Sequence, residues 1–244
     1  MPTLRDGTDT QDKRLDRLQE FDDRSKDYDI RGLVSETLKT KTWQCPVWLD
    51  QGQEGACVGF SWSHCASAYK DHTRGISNSF AEEKVYWEAQ KNDPWPGGAY
   101  PGANPHNDGT SVLSGAKIMQ QYGFIDSYRW AFSIDDVLAT LSNHGVVEIG
   151  IWWRDSMFDP DPSGLLDISG QHVGGHAICV RGHALKRRFP GHGELHVVRL
   201  RNSWGKTWGL DGDCFLRVED LETILNDDGE ACIPMGKHSL RQLP

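Results

Sequence analysis

The sequence predicts an α+β fold in which a helix-rich region precedes a strand-rich region. Apolar residues recur at helical spacing in segments before Gly145, and β-rich runs separated by Gly, Pro and Asp follow it. Helices and strands are therefore segregated along the chain. This order is typical of two packed layers or lobes and differs from alternating βαβ units.

The size and composition of the chain are those of a globular protein. It has 244 residues, of which 37% are hydrophobic and 25% are charged. Its 26 basic and 35 acidic side chains give a net charge of −9, which argues against nucleic acid as the main partner. No apolar run is long enough to span a membrane, and the charged N-terminus does not read as a secretory signal. We therefore expect a cytoplasmic protein with six reduced cysteines.

Four helices are predicted in the first part of the chain. The first begins at Cys57, and its apolar stripe consists of Val58, Trp62, Cys65 and Tyr69. The other three cover residues 80–91, 111–122 and 134–144, with capping signals at Ser79, at Thr110 or Ser111, and at Ser133.

Strands are predicted over 146–153, 176–182, 194–201 and 213–218. Polar composition marks residues 1–42 as an N-terminal arm or short pro-like segment and residues 226–244 as an irregular C-terminal extension. The domain itself is predicted to cover residues 43–225.

Cys57 is the first candidate for chemistry. It stands at the first turn of an apolar helix, where the positive end of the helix dipole favours a thiolate. Taken alone, the same position also suits an ordinary core cysteine. His176 begins a strand after two glycines, and Asn202 ends another strand.

With these blocks in place, the sequence resembles the papain family of cysteine peptidases. Gln-Gly-x-x-x-x-Cys, Gly-His-Ala and Asn-Ser-Trp-Gly-x-x-Trp-Gly-x-x-Gly occur in that family's order, over about residues 43–220. The resemblance implies a two-lobed fold with a helical lobe, an antiparallel β-barrel-like lobe and an active-site cleft between them. It also implies hydrolysis of peptide or isopeptide bonds through an S-acyl enzyme, without a cofactor.

The resemblance assigns a role to each matching residue. Cys57 would be the nucleophile, His176 the base, and Asn202 the acceptor that orients the imidazole. Gln51, rather than Gln53, has the interval expected for an oxyanion donor. The indole of Trp204 would cover the histidine–asparagine hydrogen bond.

The sequence departs from the family pattern in several places. Glu54 stands where secreted members carry a disulfide cysteine, Val58 replaces a Trp, and the long inhibitory pro-domain is missing. Gly109 falls at the place of the backbone that pairs with the second residue of the substrate. These features resemble a bacterial or phage-type branch of the family.

Other interpretations stay open at this stage. The same fold would also serve as a binding or assembly module, for example on a virion with the arm contacting a partner. It would equally serve as an amidase or acyltransferase. His172, His176, His183, His192 and His196 crowd one region, but no carboxylate or cysteine stands at metal-ligand spacing, so no metal site is expected.

Overall fold

An antiparallel sheet forms the larger layer of the fold in the computed structural model, which describes residues 1–68 and 75–236. The strands are β1 (Arg17–Leu18), β2 (Lys41–Thr42), β3 (Thr110–Ser111), β4 (Ser127–Trp130), β5 (Val147–Arg154), β6 (His172–Phe189), β7 (Gly193–Arg201), β8 (Asp213–Arg217) and β9 (Glu230–Met235). The sheet has the order β4-β9-β5-β6-β7-β8, with β2 beside β6. β1 and β3 form a separate parallel pair.

The helices are α1 (Cys57–Ser67), α2 (Trp87–Asn92), α3 (Val112–Gln121), α4 (Ile134–Asn143) and α5 (Val218–Leu225). A π-helical segment, Phe80–Tyr86, leads directly into α2. The caps predicted at Ser111 and Ser133 are confirmed, because their hydroxyls accept from backbone N–H groups at the starts of α3 and α4. The cap predicted at Ser79 is wrong: Ser77 Oγ accepts from the N–H of Phe80 instead.

The two largest apolar clusters hold the layers together. One lies between α1, α3 and the sheet and contains Trp62, Met119 and Ala177; the other lies between the sheet and α4 and α5 and contains Ile149, Leu200 and Leu221. Every residue of α1 is buried, so the helix that begins at Cys57 runs through the interior. Tyr69, expected on its stripe, lies outside the described residues. The predicted α+β class is confirmed.

The C-terminal region differs from its prediction. Residues 230–235 form β9, an inner strand between β4 and β5, so an irregular extension is wrong for this segment. Residues 237–244 lie outside the described part of the chain. The sequence does not reveal this strand because its apolar run is short and is bounded by Glu230 and Pro234, although Cys232 and Ile233 are fully buried.

The N-terminal segment is packed against the rest of the molecule. Leu15 and Ile30 are fully buried, and Leu18 is 1% exposed. Arg5 forms an ion pair with Asp93 that is buried on both sides. The polar composition of this segment therefore conceals a few large apolar anchors, which fix its path across the molecule.

Candidate active site

Cys57 lies at the N-terminus of α1 with its side chain fully buried. Its Sγ atom is 3.3 Å from the backbone N of Ala177, which directly follows His176 on β6. Helix α1 and strand β6 thus bring the Cys57 thiol beside His176 and Ala177, which lie more than a hundred positions further along the sequence.

His176 and Asn202 form a hydrogen-bonded pair. The Nε2 atom of His176 lies 2.9 Å from Oδ1 of Asn202. That oxygen also accepts from the backbone N–H of Ser203, so Nε2 is the donor and carries the imidazole proton. The other ring nitrogen, Nδ1, is buried and has no hydrogen-bond partner among the residues described. This tautomer leaves Nδ1 able to accept a proton.

Aromatic rings enclose the imidazole. The Trp204 ring centroid lies 5.1 Å from that of His176, and the Trp153 ring meets it edge-on at 4.8 Å. Trp204 is 6% exposed and Trp153 is fully buried. Trp204 therefore lies where the resemblance placed it, and Trp153 on β5 packs against the same imidazole. Exclusion of water by these rings strengthens the His176–Asn202 hydrogen bond.

Gln51 is 2% exposed, while Gln53 is exposed. The Oε1 atom of Gln51 accepts a 2.5 Å hydrogen bond from Ser203 Oγ, which turns the Gln51 amide nitrogen away from Ser203. That nitrogen donates to the backbone carbonyls of Glu54 and Arg14, at 2.7 and 3.2 Å. Ser203, missed by sequence reasoning, thus orients the amide predicted as an oxyanion donor.

The N-terminal arm runs through this site. Asp16 pairs with Gly175 in a parallel bridge, and its carboxylate Oδ1 accepts a 3.0 Å hydrogen bond from the backbone N–H of Cys57. The arm carbonyl of Arg14 receives the hydrogen bond from Gln51. One short stretch of the arm therefore engages the expected oxyanion donor, Gln51, and the backbone N–H of Cys57 beside it, and the group at Cys57 is a side-chain carboxylate rather than a peptide carbonyl.

Glycines make room for the arm. A Cβ at Gly175 would lie 2.2 Å from the backbone O of Arg17, and one at Gly174 would lie 2.7 Å from Cβ of Leu15. The arm backbone could not approach so closely past any larger residue. The two glycines that mark His176 in the sequence are thus the surface on which the arm rests.

The covered site is held in its neutral form. Burial, reinforced by the nearby Asp16 carboxyl, raises the pKa of the Cys57 thiol well above its ordinary value. Burial also lowers the pKa of His176 to about 4 and raises the pKa of Asp16 to about 7. The helix dipole at Cys57 therefore does not produce a thiolate in this arrangement, contrary to the expectation from sequence, because desolvation outweighs it.

Gly109, predicted to pair with a substrate, is bonded here to groups of the chain itself. Its N–H donates to the Tyr86 hydroxyl at 2.9 Å, and its carbonyl accepts from Arg5 and Gln90. The arm pairs with the next two residues instead, with Arg17 opposite Thr110 and Leu18 opposite Ser111. The pairing of Gly109 with a substrate stays a prediction, because this strand pair shows only where the arm lies.

The remaining candidate groups lie outside this cluster. His172 contacts Asp227, and His183 contacts Ser142 and His196. Within residues 1–68 and 75–236, no group of three or more His, Cys, Asp or Glu side chains is arranged to hold a metal ion. All six cysteines lie within the described residues, where they are buried and outside any disulfide. A search of the same residues finds no helix with the length and apolarity needed to cross a membrane.

Comparison with solved structures identifies this architecture. Xylellain, a cysteine protease from Xylella fastidiosa, superposes with a TM-score of 0.68 at 14% identity, covering 95% of this chain and 99% of that one. The chain has the papain-like fold. Procathepsin B S9 from Trypanosoma congolense gives a TM-score of 0.51 at 14% identity, covering 93% and 88% of the two chains. Procathepsin L 3 of Tenebrio molitor gives 0.51 at 16% identity, covering 93% and 75%.

Sequence comparison adds a viral relative. A peptidase C1-like protein of Acanthamoeba polyphaga mimivirus is 22% identical over 212 residues, which cover 67% of this chain and 62% of the relative. The papain-like chain therefore spans less than two thirds of that protein. No protein-family model matches the chain.

Proposed function

We propose that this chain is a papain-type cysteine peptidase that hydrolyses peptide or isopeptide bonds and is latent while its arm occupies the cleft. The observation that carries the proposal is that arm residues 14–16 bond to Cys57 and Gln51 and pair with Gly175, directly beside the hydrogen-bonded His176–Asn202 pair. The site thus already binds a peptide, which is its own N-terminal segment.

The chemistry follows from the tautomer at His176. Once the arm leaves, the thiol proton of Cys57 passes to Nδ1 of His176, whose Nε2–H remains bonded to Asn202. The thiolate attacks the substrate carbonyl carbon, and the oxyanion accepts from the Cys57 N–H and the Gln51 amide. The C–N bond breaks as His176 returns the proton to the leaving amine. Water, deprotonated by the same nitrogen, then hydrolyses the thioester.

The arm supplies a restraint on the activity of the site. It presents a carboxylate, not a scissile carbonyl, to Cys57, and it keeps thiol and imidazole neutral. A neutral thiol is a poor nucleophile. We therefore infer that residues 1–42 act as a pro-segment, and that the protein acts on peptide or protein substrates in the cytoplasm. Residues 10–18 are already engaged within the molecule, which favours this role over contact with an assembly or virion partner.

Hydrolysis by matched variants tests the proposal. We expect the full chain to cleave a peptide library, with activity rising when the arm is shortened by proteolysis, and we expect Cys57→Ala to abolish both. The wild-type protein should lose mass at its N-terminus on storage while Cys57→Ala should not. Cleavage that survives in Cys57→Ala, or no cleavage under any condition, would contradict the proposal.

A further inference from the structure

The N-terminal arm arches over a cavity at the β4 edge of the sheet. On one side of the arch, the Gln19 amide donates to the backbone O of Asp228 at 2.9 Å. On the other side, the N–H of Ile30 donates to the backbone O of Trp130, also at 2.9 Å. Between these two anchors, most of residues 20–26 line a cavity of about 520 Å³, which we call the arm cavity.

Two connections of the fold form the rest of the arm cavity. Residues 130–134 lead from β4 into α4, and residues within 222–231 lead from the end of α5 into β9. None of the residues assigned to the catalytic cluster lines it. Its volume is in the range of sites that bind small molecules. The arm cavity is therefore a separate candidate site, and the arm is one of its walls.

Two phenylalanine rings line the arm cavity and remain largely exposed to solvent. Phe21 of the arm is 73% exposed, and Phe132 is 54% exposed. The half-buried side chains of Ile134 and Leu225 extend this apolar lining. Large apolar side chains grouped at one concave surface indicate an interaction site, whereas exposed ones scattered singly do not.

The indole of Trp130 also belongs to the wall of the arm cavity. Trp130 is 5% exposed, and its Nε1 atom is buried without a hydrogen-bond partner among the residues described. Buried donors that stay unsatisfied are rare in folded proteins. An unsatisfied donor in this wall fits a site that a bound molecule completes.

Five carboxylates line the arm cavity, and one of them differs from the others. Four are already paired with a cation: Glu20 with Lys117, Asp22 with Arg24, Asp23 with Lys26, and Glu230 with Arg17. Glu222 is exposed, and over the part of the chain that the structure describes no cation pairs with it. Glu222 is therefore the carboxylate that is available to a ligand.

The C-terminal end of α5 adds to the negative charge at Glu222. Leu225, the last residue of this helix, lines the arm cavity, and the last turn of the helix carries no basic residue. Carbonyl groups at a helix C-terminus carry a partial negative charge that favours a cation. The opposite end of a helix, the start of α4, also meets the cavity, but the Ser133 cap and the acidic residues Asp135 and Asp136 offset its positive charge.

We propose that the arm cavity binds a small aromatic ammonium compound, whose ring packs on Phe21 and Phe132 and whose ammonium group pairs with Glu222, and that this ligand holds the arm in its docked position. The apolar walls account for the aromatic ring, and the free carboxylate accounts for the charge. The faces of the phenylalanine rings attract a cation as well. The inference concerns binding and does not depend on the proposed peptidase function.

The coupling to the arm follows from the composition of the wall. When the arm leaves, Phe21 and the rest of residues 20–26 leave with it, so the site exists only while the arm is docked. A ligand that binds one of two states stabilises that state as its concentration rises. Cys57 is fully buried under the docked arm, so the rate at which its thiol is labelled reports how often the arm opens.

Binding of three matched indoles to the full chain tests the site. Tryptamine carries the ammonium group, tryptophol has a neutral hydroxyl in its place, and indoleacetate carries a negative charge. Titration calorimetry measures the dissociation constant of each. We expect tryptamine to bind about 3- to 10-fold more tightly than tryptophol, because an exposed ion pair and a cation–π contact each contribute modestly. Indoleacetate should bind most weakly.

Glu222→Gln is the decisive variant, since it keeps the shape of the side chain and removes its charge. Tryptamine and tryptophol should then bind within about twofold of each other. Glu219→Gln is the matched control, because Glu219 is exposed on the same helix and does not line the arm cavity. It should leave the preference unchanged. Phe21→Ala should weaken both indoles about equally, because it removes apolar surface and no charge.

Labelling of Cys57 by a thiol-directed epoxide tests the coupling to the arm. Tryptamine should slow the labelling of the wild type by about tenfold at about ten times its dissociation constant. At the same concentration it should slow the labelling of Glu222→Gln less. If the slowing is equal in both proteins, tryptamine acts in the cleft at Cys57, and the proposed coupling is overturned.

The binding data alone decide the site. Equal affinities for tryptamine and tryptophol in the wild type, a preference that persists in Glu222→Gln, or no binding of any indole would each overturn it. None of these outcomes depends on whether a peptide is cleaved, so the site and the proposed function stand or fall separately.

Discussion

Two buried polar clusters in the same fold differ in how completely their hydrogen bonds are satisfied. Asp213 on β8 accepts from Arg181, Arg199 and Arg201 on the neighbouring strands, and its side chain is fully buried. Burial would raise the pKa of Asp213, but the three guanidinium groups hold it below its ordinary value. This cluster joins strands and has no free acceptor to offer a ligand.

The cluster at Cys57 is incomplete by contrast. Among the residues described, His176 Nδ1, Asn202 Nδ2 and Trp204 Nε1 are buried without partners. Its backbone donor at Cys57 bonds to Asp16 of the arm, and the Gln51 amide divides its hydrogen bonds between Arg14 of the arm and Glu54. Buried groups left without partners are rare in folded proteins and are costly to maintain. The difference fits a stabilising role for the Asp213 cluster and, under the proposed function, a role in binding and chemistry for the Cys57 cluster.

The largest expected effect is on activity. His176→Ala should lower kcat/KM by about 10⁴-fold or more, because the thiolate loses its proton acceptor and the leaving amine its donor. The free energy of unfolding should also fall, because Asn202 loses its bond to Nε2 and the Trp153 and Trp204 rings lose a packing partner, so activity is compared per folded molecule. A large fall in stability with activity per folded molecule retained would reverse the roles given to the two clusters.

The next effect is on stability. Asp213→Asn should lower the free energy of unfolding by about 3–5 kcal/mol, because three buried or half-buried guanidinium groups lose their carboxylate. Urea denaturation measures this, and kcat per folded molecule should not change. Asp211→Asn is the matched control, because Asp211 is exposed two residues away. An equal loss in both variants would show that the ion cluster contributes nothing specific.

A pH effect on the arm follows from Asp16. Its pKa is about 7 in the docked arm against an ordinary 3.8, so docking takes up a proton between these values and weakens as pH rises from about 4 to 7. The groups that face this carboxyl are Cys57, Asp108 and Tyr86. When the arm docks, the proton that His176 gives to the Cys57 thiolate stays within the protein. This transfer therefore adds nothing to the number of protons taken up from solution. The weakening is at most about tenfold per pH unit.

The ratio of Cys57 labelling rates in wild type and Asp16→Asn measures this effect. The asparagine keeps an oxygen for the Cys57 N–H and does not titrate, so the intrinsic pH dependence of the thiol cancels in the ratio. We expect the ratio to rise with pH up to about 7 and then level off. A flat ratio would contradict control of docking by Asp16.

The smallest expected effect is at Ser203. Ser203→Ala removes the hydrogen bond that turns the Gln51 amide toward the cleft. We expect kcat to fall by about 2- to 10-fold with little change in KM, which is the range for loss of one hydrogen bond. Gln51→Ala should cost more than Ser203→Ala, and adding Ser203→Ala to it should have no further effect. Additive losses would show that Ser203 acts on something other than Gln51.

The sequence predicted the helical and strand segments where periodicity is regular, including α3, α4 and β5. It did not predict β9, because its run is short and interrupted by Pro234. The blocks around Cys57, His176 and Asn202 identified the cluster, since their spacing is characteristic. Long-range contacts determine the roles of Asp16, Arg17 and Ser203. No local pattern in a polar segment reveals which of its residues will be buried against a distant strand.

The most direct test of the account is a site-mapped measurement of thiol reactivity. A thiol-directed epoxide is applied to the folded wild type and to Arg17→Ala, and the labelled cysteines are identified by mass spectrometry. The account predicts modification of Cys57 alone among the six cysteines, faster in Arg17→Ala because the arm is weakened. Equal labelling of several cysteines, or a Cys57 no more reactive than free cysteine in both proteins, would contradict it.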